Sequence, residues 1–155
     1  MDIIINLNNY IITDTFYNRR ASRAIIKSKY NYLLLEGKEG DFKFPGGGVE
    51  ENEDFIMALI REVREETGAD VISASIREAF GIYEKRISDD CEKTIMYSKY
   101  YFCEIESENI TDGKWINLQK AYENNRRFSD YNKIPWLIRE KEAMKYLISM
   151  EKNCK

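Results

Sequence analysis

The chain has 155 residues, of which 43% are hydrophobic and 33% are charged, and this balance predicts one soluble α/β or α+β domain with a sizeable core. Histidine is absent, which excludes a Ser-His-Asp triad, a histidine base and a histidine-ligated metal. The net charge of −3 argues against a general nucleic-acid-binding protein, so no nucleic-acid partner is expected.

Three features of the chain bear on its cellular setting. The longest unbroken apolar run, Phe55 to Ile60, has six residues, whereas a membrane-spanning helix needs about 20. The N-terminal residues show no basic segment followed by an apolar one, so we expect neither a signal peptide nor a membrane partner. The three cysteines form no CxxC pair, which is typical of reduced thiols. The sequence therefore predicts a cytoplasmic protein.

The first part of the chain predicts short strands. We interpret residues 1–20 as an N-terminal extension or as extra strands of a single domain that spans residues 1–155. Segments rich in Ile, Leu, Tyr and Phe predict strands at residues 21–29, 32–35 and 42–44. Three consecutive glycines follow at 46–48 in a chain with only eight glycines. This cluster predicts a turn whose backbone is accessible, because glycine has no side chain to cover it.

The second half of the chain predicts a hairpin and two helices. Two longer strands are expected at residues 71–87 and 94–105, and a short strand at 115–116. Helices are expected at residues 118–125 and 135–150. We expect the two longer strands to pair antiparallel across the polar loop 88–93. Pro135 opens the C-terminal helix, because proline is favoured in the first turn. The apolar residues of that helix lie broadly on one side, which predicts packing on the core rather than partner binding.

Negative charge is concentrated between residues 46 and 69, where seven acidic side chains stand against two arginines. An apolar stripe predicts a helix that docks on a sheet, and it consists of Ile56, Leu59, Ile60 and Val63. Glu62, Glu65 and Glu66 lie beside that stripe and repel one another. One guanidinium, that of Arg61, cannot neutralise three carboxylates. A hard divalent cation, Mg²⁺ or Mn²⁺, is therefore the natural candidate in a chain without histidine.

The joint spacing of glycines and acids is more informative than either feature alone. An acidic helical run is usually a solvated face, and three glycines are usually a mobile loop. Here, however, Gly47 to Ala69 satisfies the pattern G-x5-E-x7-R-E-U-x-E-E-x-G-U, in which U is an apolar residue. A chance match somewhere in the chain has a probability on the order of one in ten million at average residue frequencies.

With this pattern, and with the Phe-Pro-Gly-Gly that leads into it, the chain resembles the Nudix hydrolases. The signature box of that family corresponds to Gly47 to Ala69. The order of the predicted elements fits the resemblance from about residue 21 to residue 125. The resemblance implies a Nudix-like α/β/α sandwich with a mixed β-sheet.

The resemblance also implies roles for residues of the box. Three carboxylates would bind Mg²⁺ or Mn²⁺ and take part in catalysis: Glu62, Glu65 and Glu66. The carbonyl of Gly46 would be a further metal ligand, and Gly46 and Gly47 would let the substrate's pyrophosphate approach the backbone closely. Arg61 would take part in catalysis by orienting Glu65. Glu53 would support the helix and the loop, or would complement the helix dipole as an N-terminal acid.

The implied reaction is metal-dependent hydrolysis of a diphosphate bond in a nucleoside diphosphate linked to another moiety. A nucleoside triphosphate or its oxidised form is the leading substrate, with ADP-ribose or a dinucleoside polyphosphate as alternatives. A non-catalytic nucleotide- or RNA-binding module is the alternative of another class, but an idle site would gain nothing from mutual repulsion among its glutamates. The general base, the number of metal ions and the oligomeric state, a homodimer included, stay open. In the family an acid outside the box often completes the site, and the candidates here are Glu106, Glu108 and Asp112, each of which taken alone is more typical of a solvated loop.

Overall fold

The computed structural model describes residues 2–6, 17–87, 93–132 and 134–154. The predicted loop residues 88–92 and residues 7–16 of the predicted N-terminal extension lie outside the described residues. The strands are β1 (Asp2–Asn6), β2 (Tyr17–Ile25), β3 (Lys27–Ser28), β4 (Asn31–Glu36), β5 (Phe42–Lys43), β6 (Gly46–Gly48), β7 (Arg77–Ile87), β8 (Lys93–Phe102) and β9 (Lys114–Asn117). The helices are α1 (Phe55–Thr67), α2 (Leu118–Asn132) and α3 (Pro135–Asn153).

The larger of two sheets is mixed and has the spatial order β1, β7, β8, β2, β6. The strands β7 and β8 pair antiparallel, so the predicted hairpin is confirmed. The strand β2 lies parallel to β8 and antiparallel to β6, which forms one edge of this sheet. A smaller antiparallel sheet contains β3, β4, β5 and β9.

Successive residues of β2 contact separate hydrophobic cores on the two faces of the mixed sheet, because side chains alternate along a strand. Ala24 packs in one core with Leu59 and Val63 of α1. Ile25 packs in the other core with Met144 of α3. Helices therefore cover both faces, and the predicted α/β/α sandwich with a mixed sheet is confirmed.

The strand predicted at 71–87 is wrong in its first part. A 3-10 turn occupies Ser73–Ser75, and β7 begins only at Arg77. The hydroxyl of Ser75 donates to the carbonyl of Ile72 at 2.6 Å. Serine stabilises turns through such local hydrogen bonds, and here this effect outweighs the apolar alternation of the neighbouring residues.

The two C-terminal helices are longer than predicted. The helix α2 continues past residue 125 to Asn132, where the polar sequence carries no apolar periodicity. Asn125 lies buried within α2, and its side chain accepts from the backbone N–H of Phe42 at 2.8 Å. Pro135 occupies the first turn of α3, as predicted. None of the described helices is both long and apolar enough to span a membrane.

The helix α1 is delimited by one polar and one glycine residue. Asp54 caps its N-terminus, accepting from the backbone N–H of Met57 at 2.8 Å. Gly68 ends it in a left-handed conformation with φ of 75°, and its N–H donates to the carbonyl of Arg64 at 2.9 Å. These caps determine which residues of the acidic segment are helical. Glu53 lies outside the helix, just before the capping residue.

Candidate active site

The glycine segment forms the edge strand β6 and not the turn that its composition predicted. Gly46 pairs with Arg23 of β2, and Gly48 pairs with Ala21. Gly46 has a φ of 148°, and a Cβ there would lie 2.0 Å from the carbonyl oxygen of Ser22. A side chain is therefore excluded at this position. Pairing with β2 overrides the low strand propensity of glycine.

Arg61 connects α1 to the segment before it. Its Nε donates to Oε1 of Glu53 at 2.9 Å, and its Nη2 donates to the carbonyl of Gly48 at 2.9 Å. Its Nη1 donates to Glu62 at 2.8 Å and to Glu65 at 3.3 Å. Arg61 thus contacts Glu65, as the family resemblance implied, but its shorter contacts are to Glu53 and Glu62. Glu53 lies just before the N-terminus of α1 and is linked to the helix through this guanidinium, whereas its effect on the helix dipole stays a prediction.

The three glutamates of α1 differ in environment. The side chain of Glu62 is 15% exposed, whereas that of Glu65 is 59% exposed and turns towards Arg61. Glu66 is half-buried beside Glu62, and its Oε2 is buried without a hydrogen-bond partner among the described residues. The pKa of Glu66 is raised to about 7, mainly by burial; Glu62 also raises it, whereas Lys43 and Arg23 act in the opposite direction.

This environment fits a divalent cation. Among the described residues, no group of three or more acidic or cysteine side chains is already arranged to hold a metal. Glu62 and Glu66 nevertheless form a close, partly buried carboxylate pair, and one oxygen of that pair is unsatisfied. A hard cation takes carboxylate and backbone carbonyl oxygens as ligands and removes the repulsion between the carboxylates. The residues that could hold such a cation are Glu62, Glu66 and the carbonyl of Gly46, and their role as ligands stays a prediction.

The acids outside the box do not join this cluster in the structure. Glu108 accepts a hydrogen bond from the hydroxyl of Ser28, and Asp112 accepts from the backbone N–H of Gly113 at 2.7 Å. The loop that carries them does reach α1, because the N–H of Thr111 donates to the carbonyl of Thr67 at 2.8 Å. An acidic ligand from this loop stays a prediction.

Two basic residues near the site were missed by sequence reasoning. Arg23 lies opposite Gly46 in β2, is 8% exposed, and donates through Nη1 to the carbonyl of Gly46 at 3.2 Å. Lys43 lies next to Phe44 in the lead-in and contributes positive charge near Glu66. The available signal was a charged residue within a run of small and apolar residues, since Arg23 is flanked by Ala, Ser and Ile residues.

A large cavity lies elsewhere in the molecule. Its volume is about 980 Å³, and its walls include Tyr32, Phe102 and Leu147. As far as the structure describes its walls, they contain no residue of the segment 46–69. The chemistry of the carboxylate pair, and not the size of this cavity, therefore locates the candidate active site.

Comparison with known proteins identifies the family of the chain. The family model described as NUDIX domain matches residues 17–137. The chain therefore belongs to the NUDIX domain family, which confirms the membership predicted from the box. A solved NUDIX hydrolase from Nitrosomonas europaea has a similar fold, with a TM-score of 0.58 and 19% sequence identity over 81% of this chain and 87% of that one.

One curated relative is similar over part of its length. The protein YtkD of Bacillus subtilis (strain 168), provisionally named as an 8-oxo-dGTP diphosphatase, is 39% identical over 75 residues. The match covers 48% of this chain and 43% of YtkD, which is less than half of either protein.

Proposed function

We propose that this protein is a divalent-metal-dependent pyrophosphohydrolase that cleaves a diphosphate bond in a nucleoside triphosphate. The observation that carries the proposal is the carboxylate pair of Glu62 and Glu66 next to Gly47, in which one buried oxygen of Glu66 has no hydrogen-bond partner in the part of the chain that the structure describes. A solvated acidic face does not account for this arrangement, because its carboxylates would be exposed to water.

Each part of the site has a chemical task in this proposal. Glu62, Glu66 and the carbonyl of Gly46 hold the cation, which when bound stabilises negative charge on the phosphate oxygens. The backbone of β6 lets the diphosphate approach closely, because Gly46 and Gly47 have no Cβ. Arg61 keeps Glu62 and Glu65 in position through hydrogen bonds of 2.8 and 3.3 Å. A glutamate of the box accepts the proton of the attacking water, and which glutamate does so stays open.

The substrate class is supported by sequence similarity alone. The partial match to YtkD favours an oxidised deoxynucleoside triphosphate over ADP-ribose or a dinucleoside polyphosphate. On the basis of this match, which covers 43% of YtkD, we place an oxidised purine nucleoside triphosphate first and the other two classes second. The expected partner is thus a small nucleotide, and Mg²⁺ or Mn²⁺ is the proposed cofactor.

The test is a substrate panel with matched variants. We would incubate the protein with nucleoside triphosphates, oxidised dGTP, ADP-ribose and dinucleoside polyphosphates in the presence of Mg²⁺ or Mn²⁺, and measure released pyrophosphate and phosphate. The variant Glu66→Gln should lose turnover, whereas Glu123→Gln, an exposed acid of α2, should keep it. Nucleotide binding without turnover of any compound would contradict the proposal and would favour a regulatory binding module.

A further inference from the structure

Four charged side chains are buried where α3 meets the mixed sheet. Arg23 belongs to β2 and Glu84 to β7, whereas Arg139 and Glu140 belong to α3. Their exposed fractions are 8%, 0%, 4% and 0%, in that order. We call this group the buried quartet. It contains two positive and two negative charges, so it adds no net charge to the interior.

Direct contacts join three members of the quartet. Arg139 donates through Nη1 to Oε1 of Glu84 at 3.3 Å and through Nη2 to Oε1 of Glu140 at 3.0 Å. The other oxygen of Glu140, Oε2, accepts from the backbone N–H of Phe44 at 3.2 Å. The helix α3 is thereby tied to the residues that lead into the glycine strand.

The fourth member, Arg23, holds the next part of the same segment. Its Nη1 donates to the carbonyl of Gly46 at 3.2 Å. Between these two contacts, the carbonyl of Pro45 accepts from the N–H of Ala24 at 2.8 Å. The backbone from Phe44 to Gly46 is therefore held at three successive residues, and both side-chain contacts come from the quartet.

Core packing alone does not explain this arrangement. Burying charges costs desolvation free energy, and apolar residues of similar volume often stabilise a core equally well or better. Unlike apolar packing, a charged network is directional, because its hydrogen bonds hold particular backbone atoms in place. The atoms fixed here are those on either side of Pro45, and one of them is the carbonyl that the proposed function assigns to the cation.

We propose that the buried quartet, two members of which belong to α3, sets the metal affinity of the site by positioning the carbonyl of Gly46. Arg23, Arg139 and Glu140 are then positioning residues, which act on the cation through the backbone of the lead-in. This inference rests on the proposed function, because it needs Gly46 to be a metal ligand.

The test uses charge-balanced variants and the metal alone. Arg139→Met/Glu140→Leu removes one positive and one negative charge, so the quartet stays neutral, but Phe44 loses its acceptor. Arg139→Met/Glu140→Gln has the same charge balance and keeps an amide oxygen for that N–H. Mn²⁺ binding would be measured by electron paramagnetic resonance without nucleotide, and thermal unfolding would be followed in EDTA.

We expect the Kd for Mn²⁺ to rise about tenfold in the Met/Leu variant and less than about threefold in the Met/Gln variant. Leu147→Ala, a buried change on α3 outside the quartet, should lower Tm and leave the Kd for Mn²⁺ unchanged. A folded Met/Leu variant that binds Mn²⁺ as tightly as the unsubstituted protein would overturn the inference. Absence of Mn²⁺ binding by the unsubstituted protein would overturn the proposed function and this inference with it.

Arg23→Met decides the question independently if the Met/Leu variant does not fold. Removing a positive charge near a cation site would by itself tighten Mn²⁺ binding. Loss of the hydrogen bond to the carbonyl of Gly46 should weaken it instead, and Arg23→Lys, which keeps a charged donor, should restore part of the affinity. Tighter Mn²⁺ binding by Arg23→Met would contradict the positioning role.

Discussion

Gly47 lies against the carboxylate of Glu62, and a Cβ built at residue 47 would be 2.6 Å from the carboxyl carbon of Glu62. A methyl group at this position would therefore push aside one of the two inward carboxylates. Because a carboxylate is the mobile end of a long side chain, the protein should still fold. The absence of a side chain at Gly47 thus leaves room for the carboxylate of Glu62 at the point where the cation is expected.

The variant Gly47→Ala should lose activity and keep its fold. We expect kcat/KM to fall about a hundredfold, because a displacement of about 1 Å at a catalytic group has that effect. Gly48→Ala is the matched control, since a Cβ at that residue would meet no described atom within 4 Å. Steady-state kinetics and circular dichroism would check both variants. Equal activity of the two variants would show that the position of Glu62 does not matter.

The three glutamates of α1 should contribute unequally to metal binding. Glu62→Gln and Glu66→Gln should each weaken Mn²⁺ binding about tenfold or more, because both side chains face the partly buried site. Glu65→Gln should have a smaller effect, because Glu65 is 59% exposed and already paired with Arg61. A Mn²⁺ titration of each variant would measure the differences. An equal loss in Glu65→Gln would indicate that Glu65 rotates inward when the cation binds.

Arg61→Ala should destabilise the metal-free protein by about 1–2 kcal/mol, because Glu53 and Glu62 lose a charged donor in a partly buried place. Arg61→Lys should restore little of this free energy of unfolding, since an ammonium lacks the planar fork that reaches several acceptors. Urea unfolding in EDTA would measure both changes.

Arg64→Ala is the control for a surface ion pair on the same helix. Arg64 pairs with Asp70 at 2.7 Å, but both side chains are more than half exposed. Its removal should cost less than about 1 kcal/mol. A larger loss in Arg64→Ala than in Arg61→Ala would contradict the central role assigned to Arg61.

Stability of the metal-free protein should depend on pH through Glu66. Burial, with Glu62 adding to its effect, raises the pKa of this group from 4.5 to about 7. The native state therefore binds the proton more tightly than the unfolded state, so the stabilisation is complete below pH 4.5 and is lost as the pH rises through 7.

The measurement is the free energy of unfolding in urea at several pH values between about 5 and 8, with EDTA. The decrease across this range should be smaller in Glu66→Gln. Mg²⁺ should restore stability at the upper end, because the cation replaces the missing proton. An identical pH dependence in the two proteins would show that Glu66 titrates normally.

Residues that are close in the chain could be placed from the sequence. Helical periodicity puts Glu62 and Glu66 one turn apart on the flank of an apolar stripe, and the structure shows them side by side. The hairpin and the proline at the start of α3 were predicted for the same reason. The boundaries of the strands were not all predicted from the sequence. The turn at Ser73–Ser75 was missed, because its local hydrogen bond outweighs the alternating strand pattern of the residues around it.

The sequence by itself determined the family, the box helix and the chemical character of its glutamates, because these depend on local spacing and residue type. Only the tertiary structure decided that the glycines form an edge strand, that Glu65 is the most exposed of the three glutamates and that distant charges hold the lead-in. Arg23 is 23 positions from Gly46, and Glu140 is 96 positions from Phe44. No local periodicity connects such residues. Their contacts depend on the order of strands in the sheet and on the packing of α3 across it, which are properties of the whole folded chain.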